Sequence, residues 1–174
     1  MSSFVNVKNI FKKKTNFDKV LEFNEAFGIK NERTPQLDIF SKNKKLLDYR
    51  FNLVKEEYNE LKDAVEDNDF VEILDGLSDS LFVIYGFFTA LGIDANDAFE
   101  IVAKSNLSKL CKTEQEAIES VKKYKEQVPQ RYDTPNYKKA NDNKHWIVYN
   151  ESTMKILKSY LYTPANFDTL INKV

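Results

Sequence analysis

The sequence is short of cysteine, histidine, glycine and proline, and each shortage narrows what the chain can be. One cysteine, Cys111, excludes an internal disulfide, and with a single histidine, His145, no zinc site of the Cys/His type can be assembled. Any metal chemistry must then be carboxylate chemistry. Four glycines and four prolines in 174 residues supply little turn chemistry for a large sheet and favour long helices. Net charge is scarce too: 26 Lys and Arg against 27 Asp and Glu leave −1, so no whole-chain field recommends a nucleic acid or an anionic membrane as partner. The N-terminus has scattered Phe and Lys without an apolar run of signal-peptide length, and the longest apolar stretch, Leu81 to Leu91, is too short to span a bilayer. The expectation is a soluble, cytoplasmic protein that binds neither nucleic acid nor membrane.

What the chain does have is acid at helical spacing. Glu56-Glu57-x-x-Glu60 is followed, after eleven residues, by Glu72-x-x-Asp75-x-x-x-Asp79. At ~100° per residue, Glu57 falls near the middle of the stripe made by Leu46, Leu53, Leu61 and Ala64, with Glu56 and Glu60 at its edge. On the next helix Glu72, Asp75 and Asp79 lie within about 60° of one another, on a stripe shared with Gly76, Val83, Gly86 and Ala90. In a chain that is 30% charged, one E-x-x-E is ordinarily a solvated face. Two clusters on consecutive helices, both turned toward apolar neighbours, are different: inward carboxylates repel one another and resist desolvation unless protons or cations neutralise them. Hard oxygen donors of this kind suit Mg2+ or Mn2+.

Apolar periodicity predicts helices over Asp18 to Phe27, Asn43 to Val65, Phe70 to Leu91, Asp94 or Asn96 to Lys104, and Thr113 to Glu126. Gly28 and Gly92 stop the first and third, Asp69 caps the third, and the third is apolar nearly all round, as the central element of a bundle would be. After Pro129 the composition changes. The runs Trp146 to Tyr149 and Ile156 to Tyr160, with Asn150-Glu151-Ser152-Thr153 between them, predict a β-hairpin that must pack on the bundle or on another subunit. Its aromatics Trp146, Tyr149, Tyr160 and Tyr162 would be the contact surface. The expected division is a helical domain over 1–128 and an extension over 129–174.

A second constellation, Lys104-Ser105-Asn106-Leu107-Ser108-Lys109, offers cations, hydroxyls and an amide suited to phosphate oxygens, although such residues also simply end helices. Arg50, two turns ahead of Glu57, is either an ion-pair partner or a phosphate clamp.

The order Arg50-x-x-Leu53-x-x-Glu56-Glu57-x-x-Glu60-Leu61, then Glu72-x-x-Asp75 with Asp79-x-Leu81, then Ala98-Phe99-x-x-Val102-x-x-Ser105-Asn106-x-Ser108-Lys109-Leu110, resembles the all-α nucleoside triphosphate pyrophosphohydrolase superfamily over about Phe17 to Leu110. The nearest likeness is to its MazG-like and phosphoribosyl-ATP pyrophosphohydrolase-like members, which are common in phages, viruses and bacteria. The resemblance implies an all-α bundle of four or five helices, here with a small C-terminal β-hairpin. It implies homodimers or homotetramers, and Mg2+-dependent hydrolysis, with Mn2+ as substitute, of a nucleoside triphosphate or related nucleotide to the monophosphate and pyrophosphate. Carried over residue by residue, it makes Glu57, Glu60, Asp75 and Asp79 principal metal ligands, Glu72 a further one, Glu56 the group that orients or deprotonates the attacking water, and Arg50, Asn106 and Lys109 the substrate contacts. One departure stands out: three residues before Asp79, where the E-x-x-D motif asks for Glu, the chain has Gly76, and Glu72-x-x-Asp75 meets the motif one turn earlier. The alternatives are phosphoribosyl-ATP pyrophosphohydrolase itself, a deoxyuridine-type triphosphatase, and a non-catalytic helical protein that binds nucleotide or oligomerises. A di-iron bundle would want E-x-x-H pairs, and no histidine is suitably placed.

Overall fold

Thr15 opens the first helix with a reciprocal cap: its hydroxyl accepts from Asp18 N at 3.1 Å while Asp18 Oδ2 accepts from Thr15 N at 2.7 Å. The computed structural model describes residues 13–172. The N-terminal segment in which no signal peptide was expected falls largely outside them. Helix α1 (Asn16–Ala26) is followed by a short α2 (Ile39–Lys42) and two long helices, α3 (Lys44–Glu66) and α4 (Phe70–Leu91). Then come α5 (Ala95–Leu107), α6 (Glu114–Lys125), three strands β1 (Pro135–Lys139), β2 (Trp146–Asn150) and β3 (Lys155–Ile156), and a closing turn of helix α7 (Asp168–Ile171). The chain is all-α with a small sheet near its C-terminus, as expected, and the predicted Asp69 cap holds. Asp69 Oδ1 accepts from Val71 N and Glu72 N, and Thr113 accepts from Glu116 N. Gly92 ends α4 at φ 68°, where a Cβ would stand 1.9 Å from the Thr34 carbonyl oxygen, so no other residue fits.

The chain forms two compact units, one bounded as Met1–Ala98 with Asp168–Val174, the other Phe99–Phe167. The division therefore runs through α5, and α6 groups with the sheet.

In the first unit α3 and α4 form a helical hairpin, and α1 packs on α4. Phe17 and Val20 are buried, Phe23 meets Phe82 edge to face at 5.0 Å, and buried Asn24 donates to Thr89 Oγ1 and Asn31 Oδ1. At Gly76 the two long helices come so close that an added Cβ would lie 3.2 Å from Leu61 Cα. The apolar character of α4 is not consumed by this packing. Asp75 and Asp79 act on Glu57 of α3, whereas Phe70, Leu74, Leu77 and Leu81 lie on the opposite side and are 70, 51, 48 and 51% exposed. Among the described residues α4 is the one helix long and apolar enough by length and composition to cross a membrane, which corrects the expectation based on Leu81 to Leu91 alone. That it carries Glu72, Asp75 and Asp79 argues against a lipid setting.

The second unit is built around Cys111, Ala117, Val121, Val148 and Leu157, covered by Tyr124, Tyr132, Tyr137 and Trp146. The expected hairpin is corrected in two respects. Strand β2 pairs on one side with β1, which the Tyr-, Asn- and Lys-rich composition had concealed, with Tyr137 opposite Val148, and on the other with β3, which is only two residues long. Ladder bonding continues only to Leu157 N, which donates to Val148 O at 2.8 Å, because Ser159 and Tyr160 are held by α6 instead: Ser159 Oγ donates to Glu116 Oε1, and Tyr160 N donates to Ser120 Oγ at 3.0 Å.

Candidate active site

Helix α3 brings Arg50, Glu56, Glu57 and Glu60 to the hairpin, and α4 brings Glu72, Asp75 and Asp79. Glu57 is the focus. Its Oε2 is buried without a hydrogen-bond partner, and its carboxyl is pushed above the ordinary range by burial first, then by the negative charges of Glu60, Asp79, Glu56 and Asp75. Four of the predicted acids therefore act on one inward carboxylate. Glu72 does not belong to that group; it lines a shallow depression on α4 with Val71, Leu74, Asp75 and Ser78.

The Gly76 departure acquires a reason from the geometry. A glutamate there would drive its Cβ against the backbone of Leu61, so the close crossing of α3 and α4 occupies the position that the motif gives to Glu. Asp75 and Asp79 flank that position in the sequence, and both are exposed.

Arg50 is 7% exposed, its Nε is buried without a hydrogen-bond partner, and desolvation draws its pKa downward. It makes no ion pair among the described residues, so the first of its two expected roles is not met. Its guanidinium lies over Gly86, whose missing side chain makes the room: a Cβ there would be 3.0 Å from Arg50 Nη1. Sequence reading had grouped Gly86 with the small residues of the stripe without seeing that it seats the arginine.

Asn106 and Lys109 belong to the second unit. Asn106 is exposed in the last turn of α5, Lys109 lies just beyond it, and Lys109 Nζ donates to Asn106 Oδ1 at 2.6 Å. The neighbouring serines are occupied by the fold: Ser105 Oγ meets Tyr162 Oη at 2.9 Å, and Ser108 Oγ accepts from Thr163 N.

Whether these residues suit a divalent cation is answered by donor chemistry. Among the described residues no group of three or more acidic, His or Cys side chains is gathered into a ready-made metal cage. The fit lies in the oxygen-only donor set and in the orphaned Glu57 oxygen, whose surroundings disfavour its negative charge in the absence of a cation.

The phosphoribosyl-ATP pyrophosphohydrolase family model matches residues 20–106, half of the chain and the whole of α3 and α4. The chain belongs to that family. With it comes membership of the all-α nucleoside triphosphate pyrophosphohydrolase superfamily, and the general activity of a nucleotide pyrophosphohydrolase. Members of the family generally use divalent metal ions. An uncharacterized protein of Acanthamoeba polyphaga mimivirus is similar along its full length, 27% identical over an alignment that takes in 98% of this chain and 100% of the relative. The pyrophosphohydrolase family match ends before the sheet, whereas the viral relative extends through it.

Proposed function

We propose that this pyrophosphohydrolase cleaves a nucleoside triphosphate, or a closely related nucleotide, between its α- and β-phosphates, releasing pyrophosphate and a monophosphate. The observation that supports the reading is the buried, unpartnered Glu57 oxygen amid the charges of Glu60, Asp79, Glu56 and Asp75. Glu57, Glu60, Asp75 and Asp79 would hold Mg2+, or Mn2+ in its place, with Glu72 as an additional ligand. The metal, when bound, supplies charge screening for the triphosphate and acidifies water. Glu56, exposed at the edge of the cluster, is the carboxylate free to orient the attacking water and take its proton. Arg50 supplies a desolvated, unpaired guanidinium for the charge that builds on the departing pyrophosphate. Asn106 and Lys109 are assigned to nucleotide contacts on the family pattern.

The family description favours phosphoribosyl-ATP as a second substrate candidate with the same metal logic. The uncovered face of α4 favours a homodimer or homotetramer, because a stripe of Phe70, Leu74, Leu77 and Leu81 is costly to leave in water. The test is pyrophosphate release from a panel of ribo- and deoxyribonucleoside triphosphates and phosphoribosyl-ATP, with Mg2+, with Mn2+ and without metal, alongside Glu60→Gln. Metal-dependent release that the substitution abolishes, in a variant with wild-type helical content, supports the reading. Silence from folded protein across the panel, or full activity in Glu60→Gln, refutes it and leaves a nucleotide-binding or oligomerising role.

A further inference from the structure

The chain's net charge of −1 is the sum of two unlike parts. Phe99–Phe167 carries twelve Lys and Arg against eight Asp and Glu, so the second unit is at +4 and the remainder at −5. The cations of that unit are also spent unusually. Among the described residues only Lys104, with Glu100, and His145, with Asp142, make ion pairs in it. Others sit on tyrosine rings: Lys123 Nζ is 4.5 Å from the Tyr160 centroid and Lys158 Nζ 4.1 Å from that of Tyr162. Arg131 and Lys155 both approach Tyr132, at 5.5 and 5.7 Å. With Lys138 over Tyr149 at 4.9 Å the unit holds five such contacts, all within the ~6 Å reach of a cation over a ring.

Four of the five are contiguous. Tyr132 packs edge to face on Tyr124 at 5.5 Å, and the Tyr124 hydroxyl bonds both N and O of Lys158. Lys123, Tyr124, Lys158 and Tyr160 together line a small hollow with Gln127. Four cations without acid partners are thus interleaved with four rings along one surface.

From this interleaving we infer that the second unit binds single-stranded nucleic acid. A phosphate draws a cation off its ring, and the ring face so uncovered takes a base; Tyr160, Tyr162 and Tyr132, the last shared by Arg131 and Lys155, are the rings so uncovered. Duplex offers the phosphates but keeps its bases stacked inside, and an acidic peptide engages the cations while leaving the rings unused. The surface goes beyond the hydrolase site, which lies on α3 and α4.

The experiment is fluorescence anisotropy of labelled oligothymidylate and oligouridylate with the full chain, in EDTA so that no turnover intervenes. Saturable binding is expected, weakening roughly 50-fold between 50 and 200 mM salt if four phosphates are neutralised. Lys123→Glu with Lys158→Glu should cut affinity at least tenfold, and Tyr160→Ala should weaken it while Tyr160→Phe does not. Circular dichroism and melting temperature identify any variant that has lost its fold, and Lys123→Gln with Lys158→Gln then serves in its place. No binding at low salt, binding indifferent to these substitutions, equal binding to duplex, or preference for phosphatidylserine vesicles or polyglutamate overturns the proposal.

Discussion

Arg50 and Glu57 stand two turns apart on α3, and each keeps one buried side-chain atom, Nε and Oε2, without a hydrogen-bond partner. Two opposite charges on one helix face would ordinarily satisfy each other, yet no ion pair joins them, and the carboxyl is raised by burial first and by the neighbouring acids second. The pH dependence follows. Because the folded-state pKa of Glu57 is raised above its ordinary 4.5, its contribution to stability is fully present below that value and is lost as pH rises through the folded pKa. In metal-free buffer Glu57→Gln should therefore be more stable than wild type at neutral pH, the two converging in acid. Urea titrations at several pH values measure this; parallel profiles for the two proteins would contradict the assignment. Saturating Mg2+ should stabilise the wild type and not the variant.

The two glycines of α4 make opposite predictions. At Gly76 an added Cβ meets the backbone of Leu61, which cannot yield, so Gly76→Ala should cost roughly 1–3 kcal/mol despite alanine's better helix propensity. At Gly86 the obstacle is the flexible end of Arg50, so Gly86→Ala should gain up to about 1 kcal/mol of helix stability while displacing the guanidinium. Chemical denaturation reads the two signs. If Arg50 clamps phosphate, Gly86→Ala should also raise KM for the nucleotide at unchanged stability or better.

The helices were legible because their determinants are local. Asp69 and Gly92 announce the ends of α4, and the acid pattern sits on a clean 3.6-residue period, so its boundaries are legible in the sequence; the Thr15 cap of α1 is not, because periodicity begins that helix only at Asp18. Strand β1 was not: Asn136, Lys138 and Lys139 have no β propensity, and only pairing with β2 makes them a strand. The pattern placed Glu57 inward but could not show that Arg50 fails to pair with it, because that depends on the seat left by Gly86 on another helix. Nor could a single net charge show that the two units differ in sign, since their boundary is drawn by contacts and falls inside a helix.

Cys111 offers a reporter on the second unit. The residue is fully buried, bridges Trp146 through two backbone hydrogen bonds of 2.8 and 2.9 Å, and burial pushes its thiol pKa up. An aromatic disulfide reagent should label it only when the unit opens. Glu116, which accepts from Lys112 N at 2.8 Å and from Ser159, ties the last segment to α6. Glu116→Ala leaves those donors unsatisfied and should destabilise the unit by about 1–3 kcal/mol, accelerating labelling of Cys111 by one to two orders of magnitude. Prompt labelling in the wild type would mean that the core around Cys111 is open in solution.

The outer face of α4 yields the remaining prediction. Phe70, Leu74, Leu77 and Leu81 recur at spacings of four, three and four, half a turn from the acids, so burying them against a second copy would leave the α3–α4 hairpin and its carboxylates undisturbed. Each leucine removed from water is worth about 1.5–3 kcal/mol, and an isologous contact counts every residue twice. Leu77→Lys with Leu81→Lys introduces like charges at the seam and should convert a dimer or tetramer to monomer, read as mass by light scattering. Because those side chains belong to the exposed face, the monomer should keep its helical content by circular dichroism. A wild-type chain that is monomeric at micromolar concentration, or a doubly substituted one that keeps its assembly, would remove this face from the interface.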